Sequence, residues 1–162
     1  MPTLQRTGKE ITEIYNRQVD TVYRVCYSFM KSGADAEDMV QETFLRLMSS
    51  GQTFENERHE RAWLIVTASN LCKDNLKKWW RRMESIGDYV ERLAAPEKPE
   101  NGLAEAIRRL PAKYKDVVYL YYYEGYTTAE IASLLGYPQA TVRSHLSRAR
   151  MRLSALLKEE SE

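Results

Sequence analysis

The last helical segment of the sequence carries side chains that can bind DNA. Its apolar residues recur at three- and four-residue steps, at Val142, Leu146, Ala149, Leu153 and Leu156, which leaves the opposite face polar. Guanidinium groups can donate two hydrogen bonds to guanine, and arginine and serine also hold phosphates. The polar face carries these groups at Arg143, Ser144, Ser147, Arg148 and Arg150. The pattern favours a recognition helix, and the alternative is a basic, solvated face of a helical hairpin.

The residues before this segment indicate a helix-turn-helix. Thr127 and Glu130 have the spacing of a capping box, which begins a helix. The run 136–138 (GYP) then breaks that helix, and Gly136 can adopt the left-handed backbone that a tight turn needs. Ala132 lets the two helices approach closely. His145 lies beside the basic set, where we expect a phosphate or surface contact and not a metal ligand.

A basic helix rich in aromatic residues is predicted from about 59 to about 82. Such a mixture suits single-stranded nucleic acid, because cations follow the backbone while rings stack on bases. Asn70 has the chemistry to hydrogen-bond an extruded base. The alternative is that Trp63 and Trp79 are core residues. The set is Arg61, Trp63, Asn70, Lys73, Lys77, Lys78, Trp79, Trp80, Arg81 and Arg82.

An acidic helix precedes the basic one. Gly33 is expected to end the first helix and Asp35 to cap the second. The acids of this second helix repel DNA, so a protein-docking face is one interpretation and a solvated face is the other. Its polar residues are Asp35, Glu37, Asp38, Gln41 and Glu42.

No pattern in the sequence indicates catalysis. There is no glycine-rich phosphate loop and no order of serine, histidine and aspartate typical of a hydrolase. His59 and His145 are far apart and no Cys-x-x-Cys is present, so neither a metal nor a cofactor is expected. Cys26 and Cys72 lie on apolar faces and are expected to be buried, inert thiols. The protein is therefore expected not to be an enzyme.

The predicted organisation is all-α, with two small helical domains joined by a flexible acidic linker. The domains are 1–82 and 103–162, the second a helix-turn-helix, and 83–102 is the linker, with a short helix around 88–94. The chain has 162 residues and a net charge of only +1, but its charge is segregated. Residues 34–60 carry −5, whereas 61–82 and 138–158 each carry +5, a possible footprint for a polyanion. With no apolar run of membrane length and no signal-peptide core, a cytoplasmic location is expected.

In order along the chain, these segments resemble a known family. The likeness lies in 35–44 (DAEDMVQETF), the basic helix around Trp63, the acidic linker with its prolines, Leu110-Pro111, 126–132 (YTTAEIA) and 141–144 (TVRS). Over nearly the whole chain, this ordered set is similar to the extracytoplasmic-function (ECF) sigma factors. These are the smallest members of the sigma-70 superfamily of bacterial RNA polymerase sigma factors.

The resemblance implies a role for each segment. The acidic helix would dock on the clamp helices of the beta-prime subunit of core RNA polymerase, through Asp35, Asp38, Gln41, Glu42 and Phe44. The basic helix would open the −10 promoter element and hold a flipped base, through Arg61, Trp63, Asn70, Lys73, Lys77, Trp80, Arg81 and Arg82. The last helix would read the −35 element, through Thr141, Arg143, Ser144, Ser147, Arg148 and Arg150.

Further partners also follow from the resemblance. They are the beta flap of the polymerase, the RNA path that the linker would follow, and an anti-sigma factor, which in this family is often bound to the membrane. No small-molecule substrate is implied, since the polymerase performs the chemistry.

Two other functions compete with this interpretation. One is a stand-alone helix-turn-helix regulator whose N-terminal half senses an effector or dimerises, but such a regulator needs neither the acidic nor the basic helix. The other is a polymerase-binding protein that does not read DNA, and this protein would tolerate loss of Arg143 and Arg148.

Overall fold

Helices form all of the regular structure in residues 6–86 and 102–161, which are the residues that the computed structural model describes. No strand occurs in these two ranges, so the predicted all-α class is confirmed. The helices are α1 (Gly8–Phe29), α2 (Gly33–Ser49), α3 (Glu57–Ile86), α4 (Gly102–Arg109), α5 (Ala112–Val118), α6 (Thr128–Leu135) and α7 (Gln139–Ser161). A π-helical segment, Tyr119–Tyr123, continues α5.

The start of α2 differs from the prediction. The hydroxyl of Ser32 accepts a hydrogen bond from the backbone N–H of Asp35 at 3.2 Å, so Ser32 is the N-cap and the prediction of Asp35 is wrong. Asp35 lies in the first turn, where a negative charge is still stabilised by the helix dipole. Gly33 begins α2 and does not end α1, which stops at Phe29.

The first three helices bury a shared core. Each contributes apolar residues at helical spacing, as the periodicity predicts, and these include Val22, Val25, Phe29, Val40, Leu47, Leu64, Ile65 and Ala68. Cys26 of α1 and Cys72 of α3 are both fully buried, which confirms the predicted burial of the two thiols. An ion pair lies at the edge of this core, where the exposed Arg17 donates two hydrogen bonds to the carboxylate of the buried Glu60, at 2.8 and 2.7 Å.

The last four helices form a second layer of core, whose centre includes Ile107, Val117, Leu120, Ile131, Val142 and Leu146. The capping box at the start of α6 is present in both directions, between Thr127 and Glu130. The backbone N–H of Thr127, which donates to the Glu130 carboxylate at 3.0 Å, is the main cause that holds the pKa of Glu130 below its ordinary value. Gly136 ends α6 with a φ of 72°, the left-handed conformation predicted for the turn.

The π-helical segment changes which tyrosines reach the surface. The backbone N–H of Glu124 donates to the carbonyl of Tyr119 at 3.1 Å, one residue further than in an α-helix. Tyr119 is buried, whereas Tyr122 and Tyr123 remain 48% and 40% exposed.

The two halves of the chain pack against each other, with α1 and α3 in contact with α4, α5 and α6. Arg108 donates to the backbone oxygens of Met30 at 3.1 Å and Lys31 at 2.9 Å. Since α1 has no basic residue in its last turn, Arg108 supplies from the other half the cation that a helix C-terminus favours.

The junction between the halves falls partly outside the described residues. α3 continues to Ile86, four residues past the predicted boundary at Arg82. The remainder of the predicted linker up to 101, including the short helix predicted around 88–94, lies outside the described residues.

Candidate functional site

A cleft of about 380 Å³ lies beside α2 and α3. Asn70 is exposed at this cleft, and Trp63 is half-buried and held in place by the ring of Phe54, at 5.8 Å between centroids. An aromatic surface and an exposed amide in one cleft can stack on a planar group and hydrogen-bond its edge. The lining residues are Arg46, Ser49, Ser50, Trp63, Thr67, Asn70, Leu71 and Asp74.

The C-terminal part of α3 extends this cleft with cations and an exposed ring. Lys77, Arg81 and Arg82 are exposed, and Trp80 is 53% exposed with its ring edge-on to Trp79 at 5.0 Å. All three tryptophans of the chain lie in α3. Trp63 and Trp79 are half-buried, and only Trp80 is largely exposed. This surface can follow a nucleic-acid backbone while offering a ring to a base.

Two residues of the predicted α3 set are not free for a ligand. The guanidinium of Arg61 is ion-paired with Glu124, and the ammonium of Lys73 is ion-paired with Asp116. Lys73 also donates to the hydroxyl of Tyr137 at 3.2 Å. Burial is the largest single effect and lowers the pKa of Lys73, but the charge of Asp116 and the hydrogen bonds to Asp116 and Tyr137 together outweigh it and raise the pKa above its ordinary value.

The acidic face of α2 is exposed, with one exception. Asp35, Asp38, Gln41 and Glu42 all lie at the surface. Phe44 does not: it is 5% exposed and packs against Tyr15 at 4.9 Å between ring centroids. In this structure the Phe44 side chain supports α2 from within, and its expected part in polymerase binding stays a prediction. Sequence analysis missed Leu45 and Met48, which are 54% and 50% exposed beside the acids.

The basic face of α7 is exposed as its periodicity predicts. Arg143, Ser147, Arg148 and Arg150 are exposed, whereas Thr141 and Ser144 are half-buried. Val142 and Leu146 anchor the opposite face in the core.

His145 does not have the surface position that the sequence suggested. Its ring is half-buried between those of Tyr114 and Tyr137, at 5.2 and 6.0 Å between centroids. Burial lowers the pKa of His145, which keeps its ring neutral near pH 7. A neutral imidazole wedged between two phenol rings serves packing, so the expected phosphate or surface contact is wrong.

A second cleft, of about 580 Å³, was not predicted. It is mostly apolar and lies between α4, the π-helical segment and α7. The exposed tyrosine pair at 122 and 123 was its only signal in the sequence. The lining residues are Leu103, Ile107, Val118, Tyr122, Tyr123, Arg150, Leu153, Ser154, Leu157 and Lys158.

In residues 6–86 and 102–161, no group of three or more histidine, cysteine or acidic side chains is arranged to hold a metal. None of the helices there is both long and apolar enough to cross a membrane.

Two family models match the chain in the order that the sequence suggested. "Sigma-70 region 2" matches residues 14–82, and "Sigma-70, region 4" matches residues 101–153. The first range covers α2, the cleft and the basic face of α3, and the second covers α4 to α6 and most of α7.

The relatives that match this chain are described as ECF RNA polymerase sigma factors. The chain is 32% identical over 160 residues to the ECF RNA polymerase sigma factor SigE of Mycolicibacterium smegmatis, and 31% identical over 159 residues to BldN of Streptomyces coelicolor. These matches cover 92% and 91% of this chain but only 62% and 60% of the two relatives. SigW of Bacillus subtilis is 29% identical over 93% of this chain and 88% of its own length.

Solved structures share the fold. The sigma factor RpoE of Bartonella quintana, in complex with the anti-sigma factor NepR, matches 93% of this chain and 98% of its own, with a TM-score of 0.71 and 22% identity. CnrH, in complex with the cytosolic domain of CnrY, matches 94% and 90%, with a TM-score of 0.63 and 25% identity. The chain belongs to the sigma-70 superfamily and, within it, to the ECF sigma factors.

Proposed function

We propose that this chain is a promoter-specificity factor that binds core RNA polymerase, recognises −35 and −10 elements and initiates transcription by opening the DNA. The observation that carries the proposal is α3, which joins a cleft containing Trp63 and Asn70 to an exposed basic and aromatic face. A groove that opens DNA needs both parts, because extruding a base costs a few kcal/mol that stacking and phosphate contacts must offset.

The three exposed surfaces are assigned to three contacts in this proposal. The acidic face of α2, with Leu45 and Met48, would dock on the beta-prime clamp helices. The basic face of α7 would enter the major groove at the −35 element, where each arginine that reads a base contributes about 1–3 kcal/mol. The apolar cleft between α4 and α7 would bind the tip of the beta flap as an apolar segment. Arg150 and Lys158 line the same cleft and would flank that segment.

The chain would therefore act by binding, and the polymerase would perform catalysis. Since RNA polymerase and the chromosome lie in the bacterial cytoplasm, the proposed role implies a cytoplasmic location. RpoE and CnrH were solved with an anti-sigma factor and with the cytosolic domain of CnrY, respectively, which supports the proposal that an anti-sigma factor also binds this chain. The proposal includes the division of the chain into two domains, 1–82 and 103–162, that are joined by the linker 83–102.

Transcription from a promoter library tests the main claim. The purified chain, core polymerase and random upstream DNA should together yield transcripts that share two upstream elements, while core polymerase alone should not. Arg143→Ala and Arg148→Ala should each reduce −35-dependent transcription by about tenfold or more. Arg109→Ala is the matched control, because Arg109 is an exposed cation of the same half that pairs only with Glu105 among the contacts described. Equal loss in all three variants, or no shared elements, would contradict the proposal.

The cleft has a narrower test. Asn70→Ala should slow opening of the −10 element more than it weakens binding of duplex −35 DNA, because Asn70 is assigned to the extruded base. Asn16→Ala, at an exposed position of α1, is the control. Permanganate reactivity of unpaired thymines measures the opening, and equal losses in opening and in duplex binding would refute the role of Asn70.

A further inference from the structure

Arg6 connects the start of α1 to the loop between α2 and α3, residues 50–56. Its Nη1 atom donates to the backbone oxygens of Leu47 and Ser50, both at 3.4 Å, and its Nη2 atom donates to the backbone oxygen of Gln52. The carbonyls in the last turn of a helix lack partners within the helix, and a cation is favourable there. The guanidinium therefore caps α2 and holds the first residues of the loop.

The position of Arg6 is itself fixed by α1. Arg6 directly precedes Thr7, the N-cap of α1, whose hydroxyl accepts from the backbone N–H of Glu10 at 3.2 Å. α1 in turn packs on α2 and α3. Among the described residues, no other hydrogen bond from outside α2, α3 and the loop itself reaches residues 50–55. Arg6 is therefore the polar contact that fixes this loop to the first helix.

The Arg6 guanidinium also contacts Phe54, which supports one wall of the cleft beside α3. Its Cζ atom lies 5.1 Å from the centre of the Phe54 ring. That ring lies 5.8 Å from Trp63 between centroids, and Trp63 lines the cleft of about 380 Å³. The position of the Trp63 ring thus depends on Arg6 through one intervening ring.

Ser50 connects Arg6 to the same cleft by a second route. Ser50 lines the cleft together with Trp63 and Asn70, and its backbone oxygen accepts from Arg6. Arg6 is not among the residues that line this cleft. It lines a separate cavity of about 450 Å³ between α1 and the loop. Arg6 therefore supports two residues of the cleft wall from the side away from the bound group.

We infer that Arg6 is a positioning residue for recognition of the −10 element, because it holds Ser50 and Trp63 in the geometry that the extruded base requires. The inference rests on the proposed function, which assigns this cleft to that base. A binding site must be held to within about 0.5 Å of its productive geometry by the residues that support it. If the walls are held less firmly, the cleft should accept other bases nearly as well as the preferred one.

A guanidinium suits this role better than an ammonium. Arginine has five N–H donors in a rigid plane, which can bind several carbonyls and also offer a flat face to an aromatic ring. Lysine keeps the charge but places it at a single point on a flexible chain. Arg6→Lys therefore separates geometry from charge, since it preserves any attraction for DNA phosphates while releasing the loop.

Selection of −10 bases tests the inference. The full-length chain and core polymerase transcribe a library of promoters in which the −10 element is randomised and the −35 element is varied separately. Arg6→Lys should reduce the preference for the best −10 base over the others by about tenfold, with the −35 preference unchanged. A role in stability alone would lower transcription from all promoters equally and leave both preferences intact.

Two further substitutions make the test specific. Arg17→Lys is the matched control, because Arg17 lines the same cavity but pairs with Glu57 and Glu60 of α3. Phe54→Leu removes the ring between Arg6 and Trp63, so it should lower the −10 preference to a similar extent, whereas Phe54→Tyr keeps the ring and should retain it. Circular dichroism checks that each variant keeps its helices.

The outcomes separate the inference from the function on which it rests. A lower −10 preference in Arg6→Lys and Phe54→Leu, but not in Arg17→Lys or Phe54→Tyr, supports the positioning role. An unchanged −10 preference in Arg6→Lys or in Phe54→Leu overturns it. An equal loss of −10 and −35 preference, or a loss that Arg17→Lys reproduces, also overturns it. If the unmodified chain selects no shared −10 element, the proposed function fails before any variant is compared.

Discussion

The environment of Lys115 strongly changes the pKa of its side chain. Its side chain is almost fully buried between α5 and α1, near the ring of Phe29. Burial, together with the nearby charges of Arg108 and Lys31, lowers the pKa of Lys115 to about 7, and the facing Cys72 opposes this only in part. In the unfolded chain a lysine titrates near 10.4, so folding expels a proton at neutral and mildly alkaline pH.

This displaced titration predicts a pH dependence of stability. Between pH 7 and about 8.5 the unfolded state binds one more proton at Lys115 than the folded state, so the free energy of unfolding should rise with pH. The slope should be at most about 1.4 kcal/mol per pH unit. Below this window both states are protonated, and above it ionisation of the unfolded thiols opposes the trend.

Urea unfolding at several pH values measures this slope. Lys115→Met should remove it, while Lys113→Met, an exposed lysine of the same helix, should retain it. A slope that is unchanged in Lys115→Met would show that another group is responsible.

Whether a single side chain is buried could be predicted from the sequence only where the apolar period is clear. The positions of the α7 arginines followed from helical periodicity, because the opposite face is continuously apolar. The burial of Phe44 follows from the period as well, because it lies between Val40 and Leu47 in the apolar stripe of α2. The position of His145 did not, because it lies at the edge of an apolar stripe, where the period cannot tell a buried side chain from an exposed one. Only the rings of Tyr114 and Tyr137, which no local pattern connects to it, decide its burial.

At the scale of elements, local hydrogen bonds decide where helices begin and end. The capping box of α6 and the left-handed Gly136 were predicted because both use residues within a few positions of the boundary. The start of α2 was missed because Ser32 and Asp35 are both good caps, and only the first has its backbone in the extended conformation of an N-cap. The π-helical segment has no such signal in its sequence.

The turn after α6 gives a prediction of its own. Gly136→Ala should destabilise the protein by about 1–2 kcal/mol, since φ is 72° there and a side chain strains that conformation although the space around it is open. Gly8→Ala, at an equally open position at the start of α1 without a positive φ, should be neutral or slightly stabilising. Denaturant midpoints measure both, and equal effects would mean that backbone strain is not the cause.

At the scale of the whole molecule, the packing of the two halves could not be read from the sequence. A polar helix face is the same pattern whether water, DNA or another helix covers it. Lys73 and Asp116 are 43 residues apart, and nothing in the local sequence of either indicates the other. The segregation of charge was correctly seen, but its pairing depends on the tertiary arrangement.

The burial of two cysteines in the N-terminal core predicts that their reaction with thiol reagents depends on global unfolding. Cys26 and Cys72 are fully buried, and the hydrogen bond to Cys26 together with burial raises the pKa of the Cys72 thiol. Both thiols should therefore react with a disulfide reagent only at the rate of unfolding, and urea should accelerate the two together. Ser133→Cys, at an exposed position of α6, is the control that should react at once. Rapid reaction of one native thiol would show that the helices open locally.

The confinement of all three tryptophans to α3 gives the protein an optical asymmetry. Red-edge excitation reaches indoles alone, so the emission that it produces reports only on the N-terminal half. The C-terminal half contains tyrosines but no tryptophan, and Tyr137 reaches α3 at Lys73. Energy transferred from these phenols to the indoles should fall when the halves separate. Tyrosine-to-tryptophan energy transfer in the unlabelled protein should therefore report the distance between its two halves.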